Sequence, residues 1–127
     1  MAFSIPRNIE YLTPTVGAAA DLTAHQFKAV RLTAGGVRLT AAVDVNSGPV
    51  FVLQNKPNSG DHCQLAATGQ VTKAIAGAAV LIGTHVTINT SAQFITASFT
   101  NIGSEVVAGV AWAAAAAAGD VFAVLLT

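Results

Sequence analysis

Short segments rich in β-branched and aromatic residues recur at close spacing from residue 21 onward, and this repetition limits the chain to few folds. Turn-forming residues separate the segments, as in Gly35-Gly36, 46–49 and 56–60. Glycine adopts positive φ at no steric cost, and Asn and Ser side chains bond their own backbone, so such clusters end strands and reverse the chain. Many short strands joined by turns predict a mainly β fold, either a small β-sandwich or a barrel. The predicted strands are 28–32, 37–40, 50–54, 64–68, 71–75, 85–88, 93–97, 105–108 and 121–126.

One segment departs from this pattern. Residues 111–118 are alanine except for Trp112, and Gly119 and Asp120 follow them. Alanine is the best helix former, and glycine is common just past a helix end. We therefore expect one short Ala-rich helical segment before the last strand. Because two helical turns are unstable alone in water, packing through Trp112 should hold it.

The first 20 residues differ from the rest and predict an extended N-terminal arm, with a β-rich domain over 21–127. Pro6 and Pro14 interrupt the arm, and its apolar residues follow no sustained period. Such a segment is too apolar for a solvated tail, so it should lie along a neighbouring protein. Packing onto the protein's own core is the alternative. The candidate anchors for contact with a partner are Phe3, Ile5, Arg7 and Tyr11.

Charge is scarce and unevenly placed. Charged residues make up 9% of the chain, whereas about a quarter is usual for a soluble domain, so the chain is expected to form part of an assembly. All basic residues lie within positions 1–73, and the rest of the chain carries only Glu105 and Asp120. This imbalance is too mild to predict binding to nucleic acid, which needs clustered Lys and Arg.

The sequence offers little for catalysis, metal binding or membrane insertion. His25, His62 and His85 fall in separate segments, and Cys63 is the single cysteine. No nucleophile, phosphate-binding or dinucleotide-binding motif is present, so we expect no cofactor, no metal and no enzymatic activity, although dispersed carboxylates do not exclude carbohydrate cleavage. The longest apolar run, 106–119, is shorter than the roughly 20 residues of a membrane span, and the first residues do not resemble a secretory signal.

Three motifs occur in an order that resembles the bacteriophage head decoration proteins, also called capsid cement proteins. The first is a Leu-Gln-Asn-Lys-Pro turn, the second a Val-Thr-Lys-Ala-Ile-Ala-Gly strand and turn, and the third a Gly-Val-Ala segment that leads through alanines to Gly-Asp. The similarity runs from about Asp21 to the end of the chain. The residues that carry it here are Leu53, Gln54, Asn55, Lys56, Pro57, Lys73, Gly77, Gly109, Trp112, Gly119 and Asp120.

The resemblance implies a small β protein that binds the outer surface of a phage head in many copies and stabilises contacts between major capsid subunits. Its partners would be the major capsid protein and copies of itself, as a homotrimer. It would be synthesised in the host cytoplasm and reside on the virion. Members of that family often carry a charged residue near the position of Trp112, in a run where this chain has Ala-Trp-Ala, which leaves open the face that meets the capsid. The alternative is a head-fibre or surface-adhesin module that recognises host glycan or protein.

Overall fold

The computed structural model describes residues 13–40, 49–97 and 107–127. Over these residues the chain forms strands alone, without a helix, and eight of the predicted strands are found at or within a few residues of their expected positions. The eighth strand was predicted at 105–108, of which residues 105 and 106 lie outside the described part of the chain; the strand found here is Gly109–Ala111, so the prediction was wrong for 107 and 108. The strands are β1 Ala29–Thr33, β2 Gly36–Leu39, β3 Phe51–Leu53, β4 Leu65–Ala66, β5 Val71–Ile75, β6 His85–Ile88, β7 Phe94–Thr96, β8 Gly109–Ala111 and β9 Val121–Leu126.

The strands form two sheets, and all neighbouring strands within them are antiparallel. The first sheet has the order β2-β1-β3-β4 and the second the order β5-β9-β8-β6-β7. An isolated parallel bridge joins Ala76, just past β5, to Phe94 of β7, so the two outer strands of the second sheet meet at one point. The arrangement is sandwich-like, in agreement with the predicted mainly β fold class.

The main core lies between the two sheets, and it is formed by the side chains that alternate toward the inner face of each strand. In β9, Phe122, Val124 and Leu126 are buried while the residues between them are more accessible. They pack with Phe94 of β7 and with Val52 of the first sheet. Because successive side chains of a strand point to opposite faces, one face of each sheet supplies this core.

A second, smaller core covers the opposite face of the first sheet. Val30 and Val37 of this sheet pack there with Ala18, Leu22 and Cys63. The segment around residue 18 runs beside β2: the amide of Val37 donates to the carbonyl of Gly17, and that of Ala19 donates to the carbonyl of Val37. The described end of the predicted arm therefore packs onto its own domain, while Phe3, Ile5, Arg7 and Tyr11 lie outside the described residues.

The helix predicted at 111–118 was wrong, and the hydrogen bonds of this segment show why. The amide of Ala115 donates to the carbonyl of Val80, and the amide of Val80 donates back to Ala115. The carboxylate of Asp120 accepts the amides of Ala116 and Ala117, each at 3.0 Å. These partners from neighbouring segments replace the bonds that a helix would make within itself, and a helix of this length has little stability of its own.

Candidate interaction surface

The Leu-Gln-Asn-Lys-Pro motif starts at the last residue of β3 and begins the long connection to β4. Leu53 is fully buried in the smaller core. The side chain of Asn55 donates to the carbonyl of His62 at 2.9 Å and accepts the amide of Gln64 at 3.0 Å, which ties the two ends of the connection together. Pro57 is buried, and its carbonyl accepts the amide of Leu22. The motif thus has a structural role at these positions.

Gln54 of the same motif links the two sheets. Its side-chain amide donates to the hydroxyl of Thr72 in β5 at 2.6 Å and to the carbonyl of Val52 at 3.1 Å. The backbone carbonyl of Gln54 accepts a hydrogen bond from the side-chain amide of Gln26 at 2.8 Å. Lys56, which follows in the motif, is exposed and is available for contact with a partner.

The second motif contributes one exposed cation and one close backbone approach. Lys73 is exposed on β5, and its Nζ lies 5.9 Å from the ring centroid of Phe27, within the range of a cation–π contact. Gly77 donates its amide to the carbonyl of Phe94 at 2.8 Å. A Cβ at position 77 would collide with the side chain of Asn89 and lie 2.9 Å from Ile95 Cγ2, so only glycine fits beside β7.

The third motif contains two glycines, and each is favoured at its position for a different structural reason. Gly109 lies in β8 between β6 and β9, and a Cβ there would collide with the carbonyl oxygen of Leu125. Gly119 has a φ of +89°, which glycine adopts without strain, and it donates its amide to the carbonyl of Ala76. Asp120 then satisfies the amides of the alanine segment, as described above. Gly109, Gly119 and Asp120 thus shape the backbone of this segment.

Trp112 behaves differently from the other motif residues. It follows β8 directly and is 57% exposed, so the expectation that it would pack a helix onto the core was wrong. Its backbone amide donates to the carbonyl of Ala123, which places it against β9. A tryptophan held by its backbone with its ring in solvent is typical of a contact surface.

Further large apolar side chains are exposed at the same end of the second sheet. Leu81 is 73% exposed and Ile82 66% exposed, in the loop between β5 and β6. The amide of Gly83 donates to the carbonyl of Ala111, which holds this loop beside Trp112. Val121, at the start of β9, is 51% exposed. The ends of β5 and β8 and the starts of β6 and β9 meet here because neighbouring strands are antiparallel.

We call this surface the apolar end. It contains little charge, since segments 77–84 and 111–121 carry Asp120 as their single charged residue. The sequence interpretation identified Trp112 but missed Leu81 and Ile82. The sequence feature that could have identified them is the short apolar run 78–82, which lies outside every predicted strand. The apolar end is formed by the exposed residues Leu81, Ile82, Trp112 and Val121 together with Ala78, Ala79, Ala114, Ala116, Ala117 and Ala118.

Metal ligands do not converge in the part of the chain that the structure describes. Within residues 13–40, 49–97 and 107–127, no group of three His, Cys, Asp or Glu side chains is placed to hold an ion. Among those residues there is also no helix long and apolar enough to cross a membrane.

Comparison with known proteins relates the fold to a phage structural component. No protein-family model matches the sequence, and no curated protein matches it either. Among solved structures, the fold is similar to the N base of the head fiber protein gp8.5 of bacteriophage phi29, with a TM-score of 0.64. The similarity covers 91% of this chain and 93% of that chain at 15% sequence identity. It establishes a shared fold over nearly the whole length and transfers no residue roles.

Proposed function

We propose that this protein is a phage head decoration protein, which binds the outer surface of the capsid in many copies and stabilises contacts between major capsid subunits. The apolar end is the observation that carries the proposal. A monomer in water gains nothing from exposing Leu81, Ile82 and Trp112 together, whereas a protein in a permanent assembly buries such residues at its contacts. The resemblance to the decoration motifs supports the same assignment, and the fold shared with a phage head fibre base supports the coarser proposal of a phage head structural role.

In this proposal the apolar end joins copies of the protein into a homotrimer. The exposed alanines Ala114, Ala116, Ala117 and Ala118 would let backbones approach closely, and Trp112 would supply the large apolar contact. Burial of this surface would contribute free energy in proportion to the apolar area removed from water. The scarcity of charge then becomes an advantage, because few charged groups lose their hydration on assembly.

The N-terminal arm is the proposed link to the shell, with Phe3, Ile5, Arg7 and Tyr11 as its contacts with the major capsid protein. Many weak contacts repeated over a shell bind tightly together through avidity. Since Val16 and Ala18 pack onto the domain, deletion of residues 1–14 should leave the fold intact and weaken capsid attachment. Unchanged capsid binding by the truncated and folded protein would remove this role from the arm.

The copy number in purified phage particles tests the proposed function directly. The ratio of this chain to the major capsid protein should correspond to hundreds of copies per head, the expectation for a cement protein. A handful of copies would contradict decoration and favour the second candidate, a head-fibre module, which the fold similarity to the head fibre base supports. No catalytic step is part of either proposal.

A further inference from the structure

A cleft on the side of the domain away from the apolar end has the composition of a ligand site. It measures about 280 Å³ and lies between the segment that leads into β1 and the turn between β6 and β7. Its volume is near the lower limit of the roughly 300 Å³ typical of small-molecule sites, which suits a ligand of one ring. The lining residues are His25, Lys28, Leu39, Thr90, Ser91 and Ala92.

The cationic part of the cleft is preorganised. Lys28 Nζ lies 3.1 Å from His25 Nδ1 and donates to it, which leaves Nε2 as the protonated nitrogen of a neutral imidazole. Partial burial and the charge of Lys28 lower the pKa of His25, which favours the neutral ring that can accept this bond. The nearby acid is Asp21, whose Oδ1 accepts bonds from the amide and hydroxyl of Thr23. Among the described residues that line the cleft there is no carboxylate, and Lys28 supplies a positive charge.

The hydroxyl-bearing side of the cleft, Thr90 and Ser91, belongs to the turn between β6 and β7, and hydrogen bonds within that turn hold it in place. Asn89 Oδ1 accepts the amide of Ser91 at 2.9 Å and that of Gln93 at 3.0 Å. Ala92 has a φ of 62°, an unfavourable conformation for a residue with a Cβ, and its carbonyl accepts the amide of Ala29 at 2.9 Å. Such conformations persist where the surroundings enforce them, and they are frequent at binding sites. The turn thereby holds the exposed Thr90 and Ser91 at the rim of the cleft.

We propose that this cleft binds a carboxylate-bearing sugar residue, a function separate from capsid attachment. Lys28 would pair with the carboxylate, the hydroxyls of Thr90 and Ser91 would bond ring hydroxyls, and Leu39 and Ala92 would contact the apolar face of the ring. A bare carboxylate would use only the Lys28 side of the cleft. The remaining space is lined by the hydroxyl-bearing Thr90 and Ser91 and by the apolar Leu39 and Ala92, and this combination matches the mixed polar and apolar surface of a pyranose.

The test is a titration of the ¹⁵N-labelled full chain with sodium glucuronate, followed by amide chemical shifts at pH 7. We expect saturable shifts at residues 25–28 and 89–92, and much weaker effects from neutral glucose. Replacement of Lys28 by Met should weaken glucuronate binding by roughly tenfold or more, because a charged hydrogen bond is lost. The matched control is Lys56→Met, which removes an exposed lysine elsewhere on the surface and should leave binding unchanged.

Two results would overturn the proposal. Absence of saturable shifts at these residues would show that the cleft binds no acidic sugar. Acetate or N-acetyl-aspartate binding as tightly as glucuronate would assign the site to an acidic side chain of a protein partner instead. Chemical shifts of residues far from the cleft report whether each variant keeps the fold, so a folding defect is distinguished from loss of binding.

Discussion

Gln54 and Thr72 are joined by a side-chain hydrogen bond of 2.6 Å that spans the two sheets. Gln54 directly follows β3 of the first sheet, and Thr72 lies in β5 of the second, where it is 5% exposed. The Thr72 hydroxyl also donates to the carbonyl of Lys73 at 3.1 Å. This partly buried bond links the two sheets, and breaking it would leave one of the two N–H groups of the Gln54 side-chain amide without its partner.

Replacement of Thr72 by Val should destabilise the protein. Valine keeps the shape of threonine but removes the oxygen that accepts the Gln54 amide, and a buried donor left unsatisfied costs about 1–3 kcal/mol. Urea unfolding measures the loss. The control Thr96→Val, at an exposed position of β7, should change the free energy of unfolding by less than about 0.5 kcal/mol. In the double variant with Gln54→Met, the loss should be smaller than the sum of the single losses; strict additivity would show that the bond contributes nothing.

Gly109→Ala should also destabilise the protein, for a steric reason. The added Cβ would meet the carbonyl oxygen of Leu125 and lie 2.9 Å from Val124 Cγ1, both in the adjacent strand β9. Overpacking of a core typically costs about 1–3 kcal/mol. Thermal unfolding compared with Gly35→Ala provides the control, since the nearest atom to a Cβ at 35 is the end of the Arg38 side chain at 3.4 Å. Equal stability of the two variants would contradict the close packing of β8 against β9.

Charge placed on the apolar end should prevent self-association without unfolding the domain. Leu81→Asp changes a side chain that is 73% exposed, so the free energy of unfolding of the isolated domain should change little. At an assembled interface the same carboxylate would be buried and unpaired, which disfavours the contact. Sedimentation should report trimers for the unaltered protein and monomers for Leu81→Asp. Leu32→Asp, at an exposed apolar position of the first sheet, should still form trimers. Trimers that persist in Leu81→Asp would place the interface elsewhere.

Cys63 should be unreactive in the folded protein and should make stability sensitive to high pH. Its burial, followed by the charge of Asp61, raises the pKa of the thiol above its ordinary value of 9.0. The unfolded chain therefore loses this proton first, and stability falls as pH rises above 9.0 toward the folded pKa. Labelling with a thiol-specific disulfide reagent at pH 8 should be slow for the native protein and fast in urea. Equal labelling rates in the two states would contradict the burial of Cys63 in the smaller core.

The positions of most strands could be predicted because their signals are local. The alternation in β9 predicts a half-buried strand and the run of β-branched residues in β6 predicts a strand, whatever surrounds them. The eighth strand was misplaced because Gly109 has a low strand propensity, and its pairing partners Val86 and Leu126 are distant in sequence. The register between two strands depends on residues that are far apart in sequence, so it is a property of the tertiary structure.

The sequence by itself determined the fold class, the short strands, the scarcity of charge and the motif residues that shape the turns. Tertiary structure decided the conformation of the alanine segment, because its backbone amides donate to Val80 and Asp120 and not to one another as in a helix. It also decided which apolar residues are exposed, since Leu81 and Ile82 have the same chemistry as core residues and differ only in their location. The physical reason is that propensity and alternation act over a few residues, whereas burial and hydrogen-bond partners depend on segments that only folding brings together.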